Sequence, residues 1–298
     1  MVKYRLLKDK IARHYMLGMT VLSILFLFVI GIGLFMKAFP IMQEKNLWTL
    51  LTTSNWRPFK GIFGFASYIL STIYVTIIAI IIALPLSLLT GIYITEYASS
   101  RIRRFFNPVI DLLSGIPPVI YGVWGTLTIV PFISEKLAPH FVDYSTGLSV
   151  LAGGIVLAIM IIPLIISILM EVFSSIPKEM KEASLSLGAT KWQTVKKVII
   201  RKSIPGIIAA TVLAISRAFG ETIAVMMVCG NVTQVPHSVF DPCYPLPALI
   251  ANNYGEMMSI PKYESALMLA AFLLFIIIVF FNVISRVILI QIDKRYHL

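Results

Sequence analysis

"SSIPKEMKEASLSLGATKWQTVKKVIIRKSIPGI", residues 174–207, is a basic stretch set between two long apolar runs. Pro177 suits a helix start, with Ser174 or Ser175 available as its cap. Lys178 to Leu187 then reads as one short helix, and Gly188 supplies the left-handed residue that ends it. Thr190 caps a second helix, on which Trp192, Val195, Val198 and Ile199 share a face by their spacing. Pro205 and Gly206 mark a turn into the next apolar run. The spacing is also that of a basic amphipathic hairpin resting on lipid headgroups.

Working outward, the apolar runs dominate. Of the 298 residues, 58% are hydrophobic and only 13% charged, and the mean hydropathy is +0.89. A soluble domain cannot hide that much apolar surface, so the chain reads as a polytopic all-α membrane protein. A crossing helix needs about 20 apolar residues. Runs of that kind occupy 15–36, roughly 67–94, 112–134, part of 144–170, about 206–228, and from 265 to 285, which predicts six transmembrane helices. The first follows a basic segment but outruns a signal-peptide core and lacks a convincing cleavage site, so it reads as a retained anchor.

Orientation follows from Lys and Arg placement. The N-terminal tail, the loop after the second run, the 174–207 loop and the C-terminal end together hold 18 basic residues, against 6 in the intervening loops. Both termini are therefore expected in the cytoplasm. The division runs 1–14 as a cytoplasmic tail, 15–66 as an N-terminal helix with an outer loop, 67–290 as the main membrane domain with its cytoplasmic loop at 171–205, and 291–298 as a second tail. Trp48, Trp56 and Phe59 in the outer loop are expected at the membrane interface. The net charge of +11 reports basic cytoplasmic loops rather than nucleic-acid binding.

One basic residue, Arg217, falls inside a run, in "RAFGETIAV". Arg217 and Glu221 lie at i and i+4, on one face of a helix, so each partly compensates the other. A charge at the centre of a span costs about 2.5–3.5 kcal/mol on insertion scales. Either the pair locks its helix to a neighbour, or this face lines a translocation path. Gly115, Pro117, Pro118 and Gly122 break or bend the start of the third run; such breaks can expose backbone N–H groups to an anion, and they are equally common as packing kinks. Cys229 and Cys243 both fall on the outer side, where a disulfide can form, but nothing fixes their separation. His237 reads as a solvated loop residue. No metal-ligand cluster, HExxH or GxSxG pattern is present, which argues against a membrane enzyme, and an ion channel leaves the 174–207 loop unexplained.

That loop resembles the EAA loop of ABC-transporter permeases in Glu182, Ala183, Gly188, Ala189 and the closing Ile204-Pro205, with Ser184 in place of the family's third alanine. The resemblance implies that Lys178 to Gly188 is a coupling helix that docks into a groove on a cytoplasmic ATPase, Gly188 providing the turn. "SGIPPVIYGVWG" (114–125) and "RAFGETIAVMMVCGN" (217–231) narrow the likeness to the PstC-type permease subunits of bacterial phosphate uptake systems, although Pro118 departs from their usual form. The resemblance implies a type I ABC-importer core of five helices plus one N-terminal helix, in the bacterial plasma membrane. It implies a PstA-type permease as heterodimer partner, a PstB-type ATPase dimer carrying the ATP and magnesium, and a periplasmic phosphate-binding protein, with no cofactor on this chain. The sequence has no GxxxxGK[ST] phosphate loop of its own. On this reading Arg217 suits an oxyanion through its planar, permanently charged fork. Glu221, which as a carboxylate only accepts hydrogen bonds, either favours protonated phosphate over sulfate or simply positions Arg217. A permease for another oxyanion, such as sulfate or molybdate, is the alternative.

Overall fold

The computed structural model describes residues 2–255, 260 and 262–296, and these are overwhelmingly helical. In chain order the helices are α1 (Val2–Glu44), α2 (Leu47–Thr52), α3 (Ala66–Ile92), α4 (Ser100–Ser114), α5 (Pro118–Trp124), α6 (Val130–Phe132), α7 (Val150–Ser174), α8 (Lys178–Ser186), α9 (Lys191–Thr194), α10 (Ile200–Gly220), α11 (Ile223–Val228), α12 (Leu246–Asn253) and α13 (Tyr263–Tyr296). Wider π-helical turns extend α3 over Tyr93–Tyr97, join α5 to α6 over Gly125–Ile129, and join α9 to α10 over Val195–Ile199.

Five stretches are long and apolar enough to cross a membrane: Lys10–Glu44, Ala66–Tyr97, Val150–Ser174, Lys191–Gly220 and Tyr263–Ile284. Ser100–Ser114 with Pro118–His140 makes a sixth, bent by 90°. The count of six thus stands when the bent pair is one span, but two spans differ from expectation. The third is preceded by α4, which packs lengthwise on α7 through Ile110, Ile166 and Met170. The fifth begins at Lys191, because no turn forms at Pro205 and Gly206. Pro205 lies inside α10, where its missing N–H forfeits one helix bond. Gly206 serves packing instead: a Cβ there would stand 2.4 Å from Val172 Cγ1 on α7.

The core is the α3–α7 pair. On α3 the positions that face inward at four-residue spacing are Ser67, Ser71, Val75, Ala79, Ala83, Ser87 and Gly91, all buried. Small side chains let two helix backbones approach closely, which drives helix association inside a bilayer, where hydrophobicity cannot. α7 answers with Gly153 and Gly154; a Cβ on Gly154 would lie 2.4 Å from Ile78 Cγ2.

α1 stands apart from this core and packs along α13, with Phe35 and Phe272 rings 5.5 Å apart. It is helical from Val2, so the expected 1–14 tail is the start of this helix. α13 likewise runs to Tyr296, and residues 297–298 of the expected second tail lie outside the described residues. Lys37 Nζ meets Glu264 Oε1 at 2.7 Å, and Lys262 pairs with Glu44. Of the three outer aromatics, Trp48 and Phe59 are exposed, as expected of interface residues, but Trp56 sits edge-on among Phe63, Phe65, Tyr68 and Tyr263. Half-buried, it packs against a second cluster that closes the end of the bundle opposite the 174–207 hairpin.

Candidate functional site

Two groups of residues stand out, one at each end of α10. The first is the hairpin. α8 starts after Pro177, which is its N-cap and offers no side-chain bond. Ser174 and Ser175 do not cap it: Ser174 Oγ accepts from Arg103 Nη2 at 2.8 Å, and Ser175 Oγ donates to the Val172 carbonyl. Gly188 has φ +81° with open space around it, so conformation alone demands glycine there. Thr190 caps α9 with a capping box completed by Gln193. Val195 and Ile199 are buried as their spacing required, whereas Trp192 is exposed.

No residue of α8 is buried. Lys178, Glu182, Ala183, Gly188 and the half-buried Ala189 form a surface that the rest of the chain does not cover. Leu187 is 89% exposed and Leu185 48% exposed, which suits a surface awaiting a partner. Two polar contacts hold α8: Lys181 Nζ lies 2.6 Å from Glu96 Oε1 of the body, and the Ser184 hydroxyl lies 2.9 Å from that of Thr194 on α9. Neither contact was legible in the sequence. Glu96 closes an otherwise uncharged run, and that placement was the available signal.

The second group is a pair of facing helix breaks. α4 ends at Ser114, the chain turns through Gly115, Ile116 and Pro117, and α5 leaves at 90°. Pro117 and Pro118 both lack an N–H, so the break offers fewer donors than an ordinary helix start. It re-aims the chain more than it cradles an anion. The Leu113 carbonyl accepts from the Ile116 N–H at 3.3 Å and from the Tyr121 hydroxyl at 2.9 Å. Gly122 is not part of the break; it lies within α5, where a Cβ would stand 3.1 Å from Ala224 Cα and 2.7 Å from Met227 Sδ. Thr126 Oγ1 ties the same contact by donating to the Met227 carbonyl at 3.2 Å.

Opposite it, α10 ends at Gly220 and α11 begins at Ile223. Glu221 is extended, with ψ 125°, so Arg217 and Glu221 are not i and i+4 neighbours on one helix face. Glu221 Oε1 accepts from the Ala224 N–H at 3.2 Å and holds the start of α11. The Thr222 hydroxyl donates to the Gly220 carbonyl. Among the described residues no ion pair joins Arg217 to Glu221. Gly-Glu-Thr at a helix break is an interruption that the uniform apolarity of the run conceals.

Arg217 is exposed on the side of the single chain. It stands about 16 Å along the helix axis from Gly206, in the last turn of α10. A charge there cannot face hydrocarbon cheaply. The surface that Arg217, Gly220 and the α4–α5 break share must therefore meet water or another protein chain. Ser216 on the same turn accepts from Asn282 Nδ2 of α13 at 2.9 Å, adding a polar contact that the sequence reading missed.

Cys229 and Cys243 are both buried and free. The Cys243 N–H donates to the Cys229 carbonyl at 2.8 Å, so the chain returning from the outer loop is tied here by backbone rather than sulfur. The His237 backbone N–H donates to Asp241 Oδ2, and its residue is exposed. Among the described residues no group of three or more His, Cys, Asp or Glu is placed to hold a metal ion.

Residues 83–297 match the family described as "Binding-protein-dependent transport system inner membrane component". The phosphate transport system permease protein PstC of Xylella fastidiosa (strain 9a5c) is 35% identical over 257 residues, covering 82% of this chain and 79% of that protein. The probable phosphate transport system permease protein PstC of Methanocaldococcus jannaschii is 35% identical over 280 residues, 89% of this chain and 88% of its own. Among solved structures, a bacterial alginate ABC transporter in complex with an alginate-bound periplasmic protein superposes with TM-score 0.64 at 14% identity, covering 93% of each chain. The inward-facing MetNI methionine ABC transporter gives TM-score 0.57 at 18% identity, over 74% of this chain and 93% of that one. At these identities the two structures speak for the fold alone.

Proposed function

The chain belongs to the family of binding-protein-dependent transport system inner membrane components, and from that premise we propose that it is a permease subunit of an ATP-driven inorganic phosphate importer. Its kinship to PstC proteins over most of its length supports phosphate as the substrate. Its partners on this reading are a PstA-type permease, two PstB-type ATPase subunits in the cytoplasm and a periplasmic phosphate-binding protein, with the complex seated in the bacterial inner membrane. Basic loop placement supports the orientation, with both termini and the 174–207 hairpin in the cytoplasm.

The observation that carries the transport path is Arg217, exposed beside two facing helix breaks and free of an ion-pair partner among the described residues. A second permease completes the walls there, and Arg217 offers phosphate a planar pair of N–H donors. Glu221 holds the break open with one oxygen on Ala224 N–H, and its other oxygen accepts a P–OH proton. Sulfate carries no such proton and meets only repulsion. α8 receives the ATPase on its uncovered face, with Gly188 setting the angle at which it projects. The test is ATP-dependent uptake by the four-component complex in proteoliposomes, with phosphate, sulfate and molybdate compared side by side. Uptake of sulfate or molybdate in preference to phosphate refutes the substrate assignment.

A further inference from the structure

We propose that the Lys181–Glu96 ion pair is the joint through which movement of α8 reaches the α4–α5 break; this rests on reading α8 as the ATPase-docking helix. Lys181 and Ser184 lie one turn apart and face the body of the protein, while Glu179, Glu182, Ala183 and Ser186 face away and are exposed. One covalent route from α8 to the proposed transport path runs forward through α9 into α10, which carries Arg217 and ends at Gly220. That route reaches one of the two facing breaks. The other break ends α4, and α4 has no covalent link to the hairpin except through the far end of α7.

The structure supplies a shortcut. Glu96 stands in the π-helical turn Tyr93–Tyr97, just before α4. Lys181 Nζ reaches its Oε1 at 2.6 Å, with the two side chains only 22% and 10% exposed. A charge-assisted bond shielded in this way is stiffer than a surface pair. Lys191, on the other side of the Gly188 turn, lies 4.8 Å above the Tyr97 ring. Both limbs of the hairpin thus grip one five-residue turn. Beyond it, Ser99 caps α4, and α4 is a single helix leading to the Leu113 carbonyl that Tyr121 holds. Single π-helical turns are frequent at functional sites; here one forms the seat of the joint.

The pair differs from a merely structural contact in what it predicts. If it transmits movement, breaking it uncouples hydrolysis from transport and leaves the complex assembled. In the full reconstituted complex, Glu96→Gln, which lies outside α8, and Lys181→Met are each compared with the parent for ATPase co-purification, ATP hydrolysis and phosphate uptake. Phosphate moved per ATP is expected to fall about tenfold, within the range usual for coupling between sites. The exchanged pair Glu96→Lys with Lys181→Glu is expected to restore it. An unchanged ratio in Glu96→Gln overturns the proposal, as does loss of the ATPase from that variant, which assigns the pair to docking. A fallen ratio that the exchanged pair does not restore also overturns it, since charge complementarity is then not the cause. Failure of the unsubstituted complex to couple hydrolysis to phosphate uptake refutes the proposed function itself, before any variant is read.

Discussion

Gly206→Ala probes the point where the two limbs bounding the hairpin meet. The new Cβ would lie 2.4, 2.7 and 3.1 Å from Val172 Cγ1, Cγ2 and Cβ. All three atoms belong to a β-branched side chain that a helix confines largely to one rotamer, so they cannot swing aside. α7 and α10 must separate instead. Overpacking of this kind costs about 1–3 kcal/mol, and the triple contact places it toward the upper end. Against this, alanine gains about 0.8–1.0 kcal/mol over glycine inside a helix. The expected net loss is about 1–2 kcal/mol. Val172→Ala removes the obstructing methyls, so the double variant keeps the propensity gain without the clash. Its stability should return to that of the parent, with a coupling energy of about 2–3 kcal/mol. Denaturant or thermal unfolding of the purified complex in lipid nanodiscs measures all four corners of the cycle. A Gly206→Ala protein as stable as its parent, or a double variant whose effects simply add, refutes the close contact.

The remaining predictions follow the two sites. Arg217→Gln should leave the complex assembled and lower phosphate uptake by about 10- to 150-fold, the equivalent of a charged hydrogen bond worth about 1.5–3 kcal/mol; normal uptake removes Arg217 from the path. Glu221→Gln keeps an acceptor for the Ala224 N–H and loses only the charge, so it should fold normally and admit more sulfate relative to phosphate in competition assays. Gly188→Val forces a β-branched residue to φ +81°, at a cost of about 1–2 kcal/mol, and should release the ATPase subunits during purification; Gly188→Asn should be milder. Cys229 and Cys243 are fully buried, so a membrane-impermeant maleimide should label neither in the native complex and both after denaturation.

The long runs were legible because a bilayer imposes a length and an apolarity that few other settings share. The Gly188 turn and the Thr190 cap were legible because each depends on one residue's local chemistry. What hid from the sequence depended on partners far along the chain. Pro205 and Gly206 carry the marks of a turn, yet the helix continues through both and Val172 on α7 makes Gly206 a spacer. Trp56 reads as an interface residue until Phe63, Phe65, Tyr68 and Tyr263 close around it. Glu221 looked like a helical partner of Arg217 because the spacing fits; its backbone instead breaks the helix, and its carboxylate serves Ala224. Around Arg217, composition marked an unusual charge, and geometry reassigned its neighbour.

If the hairpin moves, the unbroken stretch from Lys191 to Gly220 would act as a rocking beam. Thirty helical residues measure about 45 Å, and the tight Gly206–Val172 contact sits part-way along as its pivot. About 22 Å of beam lies on the hairpin side and about 16 Å reaches from the pivot to Arg217. A push at Lys191 would then arrive at Arg217 reversed in direction and reduced by roughly a quarter. On the proposed function, the guanidinium would move opposite to the hairpin.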